Sequence, residues 1–274
     1  MPQEATRPFA GPGPVPLAVV RQDRTLGASG DLNFALAMLD AARSGTLGPT
    51  LRLYRPEPTV ALGQRDARLP GFDAAAEACR QLGFEPLVRK AGGRAAAYHR
   101  GCLVLDHVEP GGDGVAGSRP RFEEFGELYA LALRRAGINA AVGEIPGEYC
   151  PGEFTVHGTT DAGRKIKLVG TAQRVVSGAW LFSSVVVVRD AAPLRRVLTA
   201  CYSALGLDWN PDTAGAAEDA GDGSADGPSL IATVEAALIA AYAPRRPLAA
   251  ESFDALTASL GAGGTTVQNA APVQ

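Results

Sequence analysis

Lysine is nearly absent from this chain of 274 residues: Lys90, Lys165 and Lys167 are its only three, and arginine carries the rest of the positive charge. A site that needs an ammonium rather than a guanidinium must draw on those three. There is no excess of basic residues either, since the formal net charge is -3, which speaks against a nucleic-acid partner. No apolar run reaches the length of a membrane span, and the opening MPQEATRPFAGPGPVPLAVV is broken by Pro and Gly where a signal peptide would be apolar. Only four cysteines occur, Cys79, Cys102, Cys150 and Cys201, and none forms a C-x-x-C pair. A chain of this size needs no disulfide staples, so reduced thiols in a cytoplasmic protein are expected. The three histidines, His99, His107 and His157, stand apart from one another and from any cysteine cluster, which leaves no metal site to expect.

The order of the elements predicts an α+β fold, a mixed and largely antiparallel sheet with flanking helices. Strands are expected near 15–20, 51–54, 59–62, 86–90, 102–108, 153–157, 164–170 and 180–188, and helices over 73–82, 120–136, 192–205, 230–241 and 252–260. Asp31 precedes Leu32, Ala35, Leu36 and Leu39 at helical spacing and reads as the N-cap of one more helix. Pro120 in the first turn and Gly137 past the end frame the 120–136 helix. Hairpins are frequent and the strict βαβ rhythm is missing. Residues 1–14 read as a flexible arm, 15–260 as one domain, and 261–274 as a disordered tail. Within the domain, 208–228 carries six acidic residues, no basic ones and many Gly and Ala, so it reads as an acidic flexible insertion. Its Asp-Gly content is not a calcium loop, because Leu230 falls where the bidentate Glu belongs when Asp219 opens the register.

Cys150 stands out among the thiols. It lies in Tyr149-Cys150-Pro151-Gly152, where proline biases its predecessor towards an extended backbone and Pro-Gly signals a turn. Cys79, Cys102 and Cys201 sit inside apolar helix or strand patterns and read as packed small hydrophobes. A thiol at an exposed turn becomes a nucleophile only as thiolate, which a nearby positive charge favours. Lys167 lies on the second arm of the hairpin that begins just after Cys150, and period-two alternation lets it point back to the turn. Cys150 and Lys167 are therefore the candidate catalytic pair, with a solvated edge strand as the competing account of the lysines.

A second constellation is Arg89-Lys90-Ala91-Gly92-Gly93-Arg94-Ala95, followed by Ala96-Ala97-Tyr98-His99. Adjacent glycines let backbone amides approach a ligand, and Arg89 and Arg94 add charged donors. Taken alone, Gly92-Gly93 is more often a plain tight turn, and the spacing fits neither a Walker A loop nor a dinucleotide fingerprint. The third element, Gly170-Thr171-Ala172-Gln173-Arg174, has small residues that permit close approach to a slim ligand, as would a plain hairpin end.

Together these segments resemble the lipoate–protein ligase and octanoyltransferase family, which shares the biotin/lipoate ligase catalytic fold. The Arg89–Ala95 loop is similar to the family's Arg-Arg-x-x-Gly-Gly-x-Ala, and Lys167–Arg174 to its Lys-x-x-Gly-x-Ala/Ser-Gln-Arg. Tyr149–Gly152 looks like the nucleophile segment of the cysteine-dependent octanoyltransferase and amidotransferase branch. The chain departs from the family at Ala37, where an acidic residue is usual, at Ala91 for Ser, and at Thr155-Val156 for Asp-Leu. The resemblance implies that Cys150 and Lys167 are catalytic and that Arg89, Gly92, Gly93, Arg94, Ala95, Tyr98, His99, Gly170, Thr171, Ala172, Gln173 and Arg174 bind the substrate. It implies transfer of an octanoyl or lipoyl group from a carrier, acyl carrier protein or glycine-cleavage H protein, to a lysine of a lipoyl domain, by a monomer that uses no cofactor or metal. Three rivals stand beside it: a lipoate–protein ligase that uses ATP and magnesium, a biotin ligase, and a non-catalytic relative that binds an acyl carrier.

Overall fold

The computed structural model describes residues 15–111, 117–223 and 227–262. The arm at 1–14 and most of the tail, 263–274, lie outside the described residues. The chain begins with β1 (Leu17–Arg21), α1 (Gly27–Arg43), β2 (Thr50–Tyr54), β3 (Thr59–Leu62) and α2 (Phe72–Gln81). It continues with β4 (Glu85–Val88), β5 (Ala96–Tyr98), β6 (Cys102–Pro110), α3 (Ser118–Arg135), β7 (Ala140–Val142) and β8 (Val156–Thr159). Then follow β9 (Lys165–Val176), β10 (Ala179–Val187), α4 (Ala191–Leu205), α5 (Gly227–Tyr242), β11 (Leu248–Glu251) and α6 (Phe253–Ala262).

Eight strands form one mixed sheet in the order β11-β1-β2-β6-β10-β9-β8-β7. β1 runs parallel to both β11 and β2, and the other neighbours are antiparallel. Pro56 and Pro58 follow β2 and cannot donate to a ladder. The chain leaves the main sheet there and starts a second one, β4-β3-β5. The expected α+β class with a largely antiparallel sheet is what the chain adopts.

Alternation on the central strands sends side chains to two faces. Trp180, Phe182 and Val186 of β10 join Leu51, Leu103 and Phe125 on the face covered by α3 and α5. Phe125 stacks on Phe182 with centroids 4.4 Å apart, and burying each such ring contributes roughly 1.5–3 kcal/mol. On the opposite face Leu181, Val20 and Val108 meet Met38 and Leu39 of α1 and Phe253 of α6. The small sheet packs with α2 and α4 around a third cluster. No helix among the described residues is long and apolar enough to cross a membrane.

Three expectations need correction. Asp31 is not an N-cap: α1 starts at Gly27, whose φ is +76°, and Asp31 is buried one turn inside. Gly261 and Ala262 are part of α6 rather than of a disordered tail. The stretch 208–223 is not a solvated insertion. Ala214, Ala216, Ala217 and Ala220 are buried, Trp209 packs on Tyr149 and Tyr202, and Ala214 bridges to Lys167 of β9. Two of its acidic side chains accept backbone bonds: Asp219 from the Ala216 N–H and Glu218 from the Asp190 N–H before α4. Small residues pack here backbone against side chain, without the large apolar residues that mark a buried segment in sequence.

Candidate active site

Cys150 is one of two non-glycine residues at positive φ, +43°, among the described residues. That left-handed seat costs a cysteine on the order of 1–3 kcal/mol and persists only where the surroundings enforce it. Three groups do so. The Cys150 N–H donates to the Tyr202 hydroxyl at 2.8 Å, and that hydroxyl donates to the Ala95 carbonyl at 3.0 Å. One phenol on α4 thus ties the thiol turn to the glycine-rich loop. Lys167 holds the turn from the other side, donating to the carbonyls of Tyr149 at 3.0 Å and Cys150 at 2.8 Å.

The sulfur meets the loop directly. The Arg94 backbone N–H lies 3.2 Å from Cys150 Sγ and Arg89 Nη2 lies 3.6 Å away. Arg89 is held in turn by the Arg94 carbonyl at 2.9 Å. Gly93, at φ +104°, is the residue whose lack of a side chain permits this: a Cβ there would stand 2.8 Å from Sγ and 2.4 Å from Arg89 Nη2. Asp66 anchors the loop from behind. Its wholly buried carboxylate accepts from Arg94 Nη1 at 3.0 Å and from the Gly63 N–H at 2.8 Å.

Lys167 bonds backbone and carboxylate oxygens rather than the sulfur. Its ammonium has three donors, and all three are in use, on Tyr149, Cys150 and the Glu148 carboxylate at 2.8 Å. The Lys167 and Glu148 side chains are 3% and 1% exposed. Glu148 also accepts from the Thr155 hydroxyl at 2.8 Å and the Gly152 N–H at 3.2 Å. The charged group bonded to the thiol is Arg89, while Lys167 bonds the backbone carbonyl of the same residue. The phenols of Tyr149 and Tyr202 are pushed well up, burial being the main cause, so both stay neutral.

Two cavities meet at Cys150 and Lys167. One, about 100 Å³, is bounded by α1 and the central strands, with Leu36, Tyr54, Val104, Asp106 and Tyr98 in its wall. The other, about 530 Å³, lies towards α3 and is lined by Gly92, Gly93, Phe122, Phe154 and Thr155. Arg89, Lys90 and Tyr98 border the first, and Thr171 and Ala172 border both; Gly170 belongs to the narrow one alone. Gln173 borders the wide one while its amide is engaged by the Ser118 carbonyl and Arg121. Ala95 is buried behind the loop, contributing its carbonyl, and Arg174 ties β9 to the loop through the Lys90 carbonyl at 3.0 Å.

His99 is a correction. Its ring accepts from the Gly101 N–H at 2.8 Å and meets the Asp190 carbonyl at 2.9 Å, beside a surface depression apart from both cavities. The residue after a short strand turns away from the face that Tyr98 occupies. No group of three or more metal-ligating side chains occurs among the described residues. The sequence reading missed Asp66, Glu148 and Tyr202. For Glu148, an acid two residues before the thiol and facing one of three lysines was an available signal; Asp66 and Tyr202 come from distant elements and gave none.

Known proteins fit this geometry. The family described as "Lipoyl protein ligase A/B catalytic domain" matches residues 31–203. The chain is 30% identical over 170 residues to octanoyl-[GcvH]:protein N-octanoyltransferase of Geobacillus kaustophilus, covering 62% of this chain and 58% of that protein. The protein of the same name from Exiguobacterium sibiricum is 30% identical over 181 residues, covering 64% and 62%. The chain thus aligns with about three-fifths of the length of these relatives. Its fold is similar to that of lipoate-protein ligase A bound with ATP, with a TM-score of 0.66 at 19% identity over 90% of this chain and 92% of the other. With the family match spanning the thiol turn, the glycine-rich loop and the buried lysine together, the chain belongs to the lipoyl protein ligase A/B catalytic domain family.

Proposed function

We propose that this protein is an acyltransferase that moves an octanoyl or lipoyl group from a carrier protein to a lipoyl-domain lysine through a thioester on Cys150. The observation that carries the reading is the placement of the Cys150 sulfur at the junction of two cavities, against an Arg94 N–H and the Arg89 guanidinium. A ligase that forms an acyl-adenylate needs no thiol there. The relatives named octanoyl-[GcvH]:protein N-octanoyltransferase point to the glycine-cleavage H protein as donor.

The thiolate attacks the acyl carbonyl of the donor amide, the carbon–nitrogen bond breaks, and the departing lysine amine takes up a proton. The acceptor lysine amine then attacks the thioester and gives up a proton to solvent, balancing the one taken up by the departing donor amine, as the carbon–sulfur bond breaks, the new amide forms and the thiolate returns. The Arg94 N–H and Arg89 bond the sulfur in both half-reactions. Lys167 exchanges a backbone carbonyl for the developing oxyanion, a role in which a positioned donor contributes on the order of 10²–10³ in rate. The narrow cavity takes the acyl chain and the wide one the lysine arm that brings or removes it. The reaction needs no cofactor, and we place it in the cytoplasm, where thiols remain reduced.

Incubation with an octanoyl donor and no acceptor tests this. One octanoyl mass is expected on the protein, labile to hydroxylamine and absent from Cys150→Ser. Activity of Cys150→Ser at the unmodified rate, dependent on ATP and magnesium, would replace this reading with the ligase.

A further inference from the structure

The stretch 209–214 packs against the thiol turn and its anchors. Gly147, at φ +78°, opens the turn, and its carbonyl accepts from the Asn210 N–H at 2.7 Å. Trp209 meets the Tyr149 ring edge-on, with centroids 5.9 Å apart at 87°, and the Tyr202 ring at 5.7 Å. Ala214 bridges to Lys167, and Arg195 of α4 clasps the stretch by donating to the carbonyls of Pro211 at 3.1 Å and Ala214 at 2.8 Å. Trp209 itself is partly buried in the cluster around α2 and α4 and borders neither cavity.

Two tyrosines with different duties lean on this one indole. The Tyr202 hydroxyl takes the Cys150 N–H and holds the Ala95 carbonyl. Tyr149 carries the peptide that leads into Cys150, and the Lys167 ammonium stands 4.8 Å from its ring centroid. An aromatic ring is positive at its edge and negative at its face, so an edge-on contact fixes orientation as well as distance. A left-handed seat such as that of Cys150 lasts only while its surroundings enforce it. Without the indole both rings gain room to rock, and the thiol turn loses the support that aims its sulfur.

We propose that Trp209 is a positioning residue for acyl transfer: it props Tyr149 and Tyr202 and, through them, keeps Cys150 in the pose that accepts the acyl group. The inference rests on the acyl-transfer reading for its reaction. A misplacement of about 1 Å at a reacting group can cost on the order of 10² in rate. Rocking rings move the turn by a fraction of that, so loss of the indole should cost about tenfold.

The test is steady-state transfer by the full chain, from octanoylated glycine-cleavage H protein to a lipoyl domain, beside alkylation of Cys150 by iodoacetamide read by peptide mass. Trp209→Leu should lower kcat about tenfold and leave KM within about twofold, because donor and acceptor meet surfaces that Trp209 does not form. Alkylation should stay within about threefold of the parent rate, since a small reagent needs an accessible thiol rather than an aimed one. Trp209→Phe keeps one ring contact of the two and should fall about threefold in kcat; it decides the matter where Trp209→Leu does not fold. A folded variant that transfers at the parent kcat overturns the inference. So does a rise in KM that accounts for the loss, or an alkylation rate that falls as far as kcat, which would mark general damage to the fold. A parent protein that transfers nothing fails the acyl-transfer reading before any substitution is made, and this inference falls with it.

Discussion

Gly92 and Gly93 are neighbours in one loop, yet replacing each with alanine should have opposite outcomes. At Gly92 a Cβ meets nothing within 4 Å and the backbone is not left-handed. At Gly93 the new Cβ would lie 2.8 Å from Cys150 Sγ and 2.4 Å from Arg89 Nη2, at φ +104°. The arginine is flexible and can swing aside, but doing so removes the charge beside the thiol. Restoring ordinary contact with the sulfur requires a further displacement of about 0.6 Å, and a shift of about 1 Å at a reacting group can cost on the order of 10² in rate. The backbone term adds roughly 1–3 kcal/mol of instability. Gly93→Ala should therefore form the acyl adduct on the order of 10²-fold more slowly, and unfold at a denaturant concentration lower by an amount equivalent to those few kcal/mol. Gly92→Ala should match the parent protein within about twofold in rate, since substitutions away from special backbone or packing usually stay within ±0.5 kcal/mol. Both are read by intact-mass time courses and equilibrium unfolding. A Gly93→Ala protein acylated at the parent rate would refute the account of how the loop seats the sulfur.

Removing the charge of Lys167 with methionine leaves Glu148 buried and unpaired, so stability should fall by roughly 3–5 kcal/mol. Adding Glu148→Gln should recover part of that loss in chemical denaturation while adduct formation stays slow; full recovery of the rate would show that the ammonium takes no part in the chemistry. Asp66→Asn should slow acylation roughly tenfold by freeing Arg94, with little change in the unfolding midpoint, and an unchanged rate would show that the loop holds itself. Burial, its largest cause, pushes the pKa of His107 down, and that of His157 likewise. The folded protein then binds fewer protons than the unfolded chain once pH drops below the free-histidine value of about 6.5, so stability should fall on acidification from there towards the lowered folded values. A midpoint that is flat or rises between pH 7 and 5, or a His107→Gln slope as steep as the parent's, would contradict this. Deleting residues 210–222 should unfold the protein, because Ala216 and Ala217 are fully buried there; a soluble, cooperatively melting deletion would restore the flexible-insertion reading.

Local periodicity located most of the elements, because Phe122, Phe125, Leu128 and Ala132 repeat at helical spacing and Trp180–Val187 is too apolar to lie anywhere but in a central strand. The strands that escaped, β5, β7 and β11, are three or four residues long, too short for a period to register. At the site, Cys150 and Gly93 announced themselves because a thiol before proline and a paired glycine are locally costly. The aim of Lys167 could not be read: alternation gave its face, but whether it reached Sγ or the Cys150 carbonyl depends on Glu148 and on how the turn closes. Arg52 and Asp106 illustrate the opposite case. Arg52 is the one charge in β2 and Asp106 shares β6 with Glu109; their opposite signs were visible, but their pairing, with Arg52 Nη2 2.8 Å from Asp106 Oδ2, rests on the β2–β6 register, which no local pattern supplies.

The left-handed backbone at Cys150 has a consequence for what selection can and cannot do with this protein. Glycine would occupy that seat without the conformational penalty that cysteine bears there. On the proposed chemistry, the nucleophile thus sits where the backbone itself favours its replacement, and only the contacts of the sulfur with the Arg94 N–H and Arg89 oppose that loss. On that reading, continued demand for the reaction keeps sulfur in the position. Activity and robustness pull against each other at a single residue, and the anchors on either side, Tyr202 and Lys167, are what hold the unfavourable choice in place.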